Sequence, residues 1–85
     1  MGQGIRVFTL YGHGYCHLCS EMQVALAPWQ QRLGFRLEVV DIHDDVALEQ
    51  RFGEHVPVLM EGEEEVCHYV LDPQALRERF SAAGD

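Results

Sequence analysis

The chain has 85 residues, enough for one domain spanning 1–85 and too few for two. Hydrophobic residues make up 47%, which excludes a disordered chain, and no apolar run reaches the length of a membrane span. Six basic against fourteen acidic side chains leave a formal net charge of -8 with neutral histidines, and without a basic cluster nucleic acid is not an expected partner.

The start, Met1-Gly2-Gln3-Gly4-Ile5-Arg6, has no apolar core behind a basic end, so no targeting segment is expected and a cytoplasmic location is the default. Three cysteines, an odd number, argue against a secreted disulfide scaffold.

Ile5 to Tyr11 is short, bounded by glycines and rich in β-branched and aromatic residues, which predicts a buried strand. Gly12-His13-Gly14 supplies a turn. From Leu18 the apolar positions Met22, Ala25, Leu26, Trp29 and Leu33 recur at helical spacing, with Pro28 inside the pattern and Gly34 closing it. Pro28 removes one backbone hydrogen bond and is expected to kink the helix. Phe35 to Ile42 alternates at first and then turns wholly apolar, which predicts a strand entering the middle of a sheet, parallel to the first. Asp44 or Asp45 caps a short second helix carrying Val46, Leu48 and Phe52, ended by Gly53. Val56-Pro57-Val58-Leu59-Met60 reads as a strand headed by a proline, where a cis or a trans bond fits the pattern. Glu61-Gly62-Glu63 turns the chain into an antiparallel strand, Glu65 to Val70, and Asp72-Pro73 opens a last helix carrying Leu76 and Phe80.

The chemistry concentrates in Tyr15-Cys16-His17-Leu18-Cys19, where a strand feeds a Cys-x-x-Cys into a helix. Unpaired N–H groups and the positive end of the helix dipole favour a thiolate at Cys16, which makes it the expected nucleophile. Cys19, one turn later on the same face, can close a small disulfide ring with it and act as the resolving thiol. His17 could donate a hydrogen bond to Cys16 or, when protonated, add positive charge beside it. The competing reading is half of a zinc site completed from His13, His17, Cys67 and His68. Cys67 and His68, however, are adjacent in a strand and point to opposite faces, so the redox reading stands ahead. Cys67 itself reads as a small packing residue, with a third redox thiol as the alternative.

The order β-(Cys-x-x-Cys)-α-β-α-β-β-α, with Val56-Pro57 at the third strand, resembles the thioredoxin fold in its minimal, glutaredoxin-like form. That is an α/β fold with a four-stranded mixed sheet and helices on both faces. The likeness is greatest to small bacterial glutaredoxin-like proteins with a Cys-x-Leu-Cys start and a Val-Pro-Val-Leu strand. It implies a monomeric thiol–disulfide oxidoreductase that needs no cofactor or metal and acts on protein or low-molecular-weight thiols and disulfides. Cys16 would attack, Cys19 would resolve, Tyr15 and His17 would shape the site, and a cis Pro57 would face the disulfide. The backbone of Val56 would then pair with a bound thiol peptide.

Three departures bear on the substrate. His17-Leu18 stand where Pro-Tyr is usual, and His13 stands where a lysine is usual. The Gly-Gly-x-x-Asp loop that holds part of glutathione has no match, and Glu61-Gly62-Glu63-Glu64-Glu65 is expected in its region, where it would repel the anionic tripeptide. Other uses of the same fold are a module holding a metal or an iron–sulfur cluster and a redox-inactive peptide adaptor.

Overall fold

A computed structural model describes residues 5–14 and 16–84, with backbone alone for 82–84. The elements run β1 (Val7–Gly12), α1 (His17–Leu33), β2 (Arg36–Asp41), α2 (Val46–Phe52), β3 (Val58–Glu61), β4 (Glu64–His68) and α3 (Pro73–Gly84), in the predicted order. The strands form a four-stranded sheet ordered β2-β1-β3-β4. β1 and β2 are parallel and the other pairs antiparallel, so the sheet is mixed.

Alternation along the strands builds a layer on each face. Phe8 and Leu10 of β1, with Leu59 and Cys67, meet Met22 and Leu26 of α1 and Leu76 of α3. Tyr11, Val58 and Met60 turn the other way and meet Leu48 and Phe52 of α2, the Tyr11 and Phe52 rings stacking at 4.4 Å. The helix ends follow local chemistry. Asp45, rather than Asp44, caps α2 by accepting the Leu48 N–H at 3.1 Å, and Asp72 accepts the N–H groups of Gln74 and Ala75 ahead of α3. α1 continues through Pro28 to a C-cap at Gly34, whose φ of 77° only glycine adopts freely.

Three expectations are corrected. Ile5 precedes the strand and is exposed, since β1 begins at Val7. Among the described residues β2 lies at the edge of the sheet, bonded to β1 alone, because β3 takes the other side of β1. Its apolar end is therefore not a sign of a central strand: Val39 is 53% exposed, and Ile42, past the strand, is the residue that is buried.

The third correction concerns the acidic run. β3 runs antiparallel to β1, so Glu61 and the hairpin lie beside the beginning of β1, where Arg6 donates from Nε and Nη2 to the two Glu61 carboxylate oxygens at 2.8 Å each. The cysteines leave from the other end of β1. The segment that returns to the cysteine end is Tyr69-Val70-Leu71-Asp72, after β4, and it opens with Tyr69 in a left-handed conformation at φ 68°.

Candidate redox-active site

β1 ends at Gly12, and the chain turns through His13 and Gly14 into α1. Cys16 is the N-cap of α1: its backbone is extended and its Sγ accepts the Cys19 N–H at 3.2 Å. One of the helix's unpaired donors thus points at a sulfur, the arrangement that stabilises negative charge on it. The turn is held by the Cys16 N–H donating to the His13 carbonyl at 3.1 Å.

The two thiols differ in exposure. Cys16 is half-buried, whereas Cys19 is only 7% exposed, and both are free. Burial, and after it the neighbouring Cys16 side chain, pushes the Cys19 thiol up to about 11, against the pull of the His13 backbone. Cys19 is therefore a neutral thiol at neutral pH, and Cys16 is the more accessible sulfur.

Gly12 matters here for a reason the sequence did not signal. A Cβ on it would lie 2.6 Å from the Cys19 sulfur, so only a residue without a side chain lets β1 pass beneath that thiol. Beside Cys19, Leu10, Gly12, Gln23, Val39 and Asp41 line a cavity of about 70 Å³.

The other predicted site residues divide. Tyr15 lies outside the described residues. His17 is 87% exposed on its side chain, and its Nε2 pairs with Glu21 Oε2 at 2.9 Å along the helix surface. The Val56-Pro57 bond is cis, Pro57 is buried and Val56 half-buried. Register puts Val58 opposite Tyr11, so the residues just before Val58 lie at the same end of the sheet as the loop to Cys16.

Cys67 is buried among Phe8, Leu59 and Leu76, and burial raises its thiol as well. His13 pairs through Nε2 with Glu49 Oε2 at 2.9 Å, which ties the turn before the cysteines to α2. Nothing in the sequence spacing pointed to that pair. Among the described residues, no group of three or more His, Cys, Asp or Glu is placed to hold a metal ion.

Comparison with known proteins places this geometry in context. Residues 7–81 match the family model described as Glutaredoxin-like domain (DUF836). A Nitrosomonas europaea protein solved by NMR is similar at 35% identity with a TM-score of 0.80, covering 89% of this chain and 92% of that one. An X. campestris protein solved by X-ray is 39% identical, with a TM-score of 0.69, covering 88% and 96%. Thioredoxin 1 from Thermosipho africanus shares the fold at 12% identity, with a TM-score of 0.64 over 93% of this chain and 99% of that one. No curated protein matches the sequence.

Proposed function

We propose that this chain, which belongs to the glutaredoxin-like domain family, is a thiol–disulfide oxidoreductase working through Cys16 and Cys19. The observation that carries the reading is the asymmetry of the pair: an accessible Cys16 at the helix N-cap, its sulfur accepting the Cys19 N–H, against a buried Cys19 held neutral. The Cys16 thiolate attacks one sulfur of a substrate disulfide, forming a mixed disulfide and expelling the other sulfur as a thiolate, which takes up a proton. Cys19 gives up its proton and attacks the Cys16 sulfur, closing the Cys16–Cys19 disulfide and releasing the second substrate thiol. Two electrons pass from the protein to the substrate.

Val56, Pro57 and His17 border the site, and the substrate is a thiol or disulfide of a protein or small molecule. The cytoplasm, where such a pair is kept reduced, is the proposed compartment. Among the described residues no helix is long and apolar enough to cross a membrane.

The test is equilibration in graded mixtures of reduced and oxidised glutathione, followed by acid quenching, alkylation and intact mass. A reversible Cys16–Cys19 disulfide is expected. Cys16→Ser should abolish exchange and Cys19→Ser should trap a mixed disulfide. Cysteines that stay reduced throughout, or a Cys19→Ser variant that turns over normally and traps nothing, would overturn the reading.

A further inference from the structure

Building on the dithiol reading, we propose that the substrate is a protein segment whose disulfide is flanked by an apolar residue and by basic side chains, docked in the groove beside Cys16. That groove, about 270 Å³, is formed by Leu18, Met22 and Ala25 of α1 facing Tyr69, Val70 and Leu71 of the turn after β4. It begins two residues past Cys16, and it leaves Leu18 39% and Val70 62% exposed. Apolar surface left open along the first turns of the helix that Cys16 caps favours a substrate that covers it.

The charge around the groove selects among such substrates. All six basic residues are arginines, and none lines the groove. Arg6 and Arg79 are bound to Glu61 beside the start of β1, and Arg36 opens β2 opposite Val7. Arg32 and Arg77 lie over Trp29, roughly 18 Å along α1 from its start. Arg51 lies over Phe52 and reaches Glu63 of the hairpin at 3.3 Å.

Two acidic groups remain at the groove: Glu21, which pairs with His17 along the helix surface, lines it, and Asp72, the cap of α3, follows Leu71. An anionic thiol such as glutathione meets no guanidinium there and has no apolar side chain to bury. A segment with a leucine-like residue next to its cysteine and with lysine or arginine beyond it meets both features.

The test uses the reduced protein at mildly alkaline pH, where free imidazole is neutral. Rates of Cys16–Cys19 disulfide formation are compared for peptides of equal length whose disulfide adjoins a leucine and is flanked by lysines, by neutral residues or by glutamates. Neutral hydroxyethyl disulfide, cationic cystamine and oxidised glutathione serve as small probes. At low salt the lysine peptide is expected to react roughly tenfold or more faster than the glutamate peptide. At about 1 M salt, where screening reaches about 3 Å, that ratio should fall toward unity. Glu21→Lys, a change at an exposed position, should lower the same ratio.

The proposal is overturned if the glutamate peptide or oxidised glutathione keeps pace with the lysine peptide at low salt. It is also overturned if cystamine, which has no apolar residue, reacts as fast as the lysine peptide. If hydroxyethyl disulfide leaves both cysteines reduced, the dithiol reading itself fails and the proposal falls with it.

Discussion

Cys19 owes its chemistry to what surrounds its sulfur. With the thiol raised to about 11 from an ordinary 9.0, the folded protein binds more protons than the unfolded chain between those values. The stability that comes from keeping Cys19 neutral is thus fully present below about pH 9 and is lost as pH rises through about 11. Urea unfolding across that range should show a decline that is shallower in Cys19→Ser, and equal slopes would remove the linkage. Gly12 sets the same sulfur's position sterically. Gly12→Ala would bring a Cβ to 2.6 Å from it and to 3.1 Å from the Cys19 Cβ, so the thiol must shift. The expected cost is about 1–3 kcal/mol of unfolding free energy, together with slower closure of the Cys16–Cys19 disulfide after oxidation. A variant as stable and as quick to close as the parent would mean that the close approach has no consequence. The Cys-x-x-Cys pair was legible in the sequence because its spacing and its place before a helix carry the meaning. Gly12 was legible only as a turn residue, since its contact with Cys19 depends on how β1 passes under α1.

At the scale of elements, Glu61 holds three segments together. Its carboxylate accepts from Arg6 ahead of β1 and from Arg79 of α3, and Arg79 also donates to Glu64 at 2.7 Å. The Arg6 guanidinium donates to the Arg79 carbonyl and lies 4.6 Å from the centre of the Phe80 ring. Burial works to raise the Glu61 carboxyl, yet the two arginines outweigh it and hold the group below its ordinary 4.5. Such a group contributes stability above its unfolded value, and that contribution is lost as pH falls below about 4.5 through its folded value. Glu61→Ala should cost about 1–2 kcal/mol, a figure kept low because the pairs are partly hydrated, and it should flatten the acid limb of the stability profile. An unchanged acid limb would assign the acid sensitivity to other carboxylates. The strand and helix order was readable from apolar periodicity and from caps such as Asp72-Pro73. The edge position of β2 was not, because Val39-Val40 looks the same in a central strand. Nor was the place of the acidic hairpin, which follows from the antiparallel register of β3 on β1 rather than from proximity in sequence.

Across the whole molecule, the net charge of -8 is unevenly spread. The arginines gather where β1 begins and along the hairpin and α3, while carboxylates such as Glu21, Asp41, Asp44 and Asp72 stand at the cysteine end without a guanidinium partner among the ion pairs of the described residues. Asp44 is 96% exposed on its side chain, and His43 Nε2 lies 3.8 Å from its Oδ1. Added salt acts on these two ends in opposite directions. It weakens the Glu61 pairs, which are partly buried and so poorly screened, and it weakens repulsion among the exposed carboxylates, which are well screened. The second effect should win, because screening is strongest where exposure is greatest. The midpoint of thermal unfolding at neutral pH is therefore expected to rise as sodium chloride is increased from low salt to about 0.15 M, where the screening length is about 8 Å. In Glu61→Ala, where the opposing term is gone, the rise should be steeper. A midpoint that falls with salt in the parent and stays flat in Glu61→Ala would mean that the arginine cluster, and not the crowding of carboxylates near Cys16, dominates the electrostatics of folding.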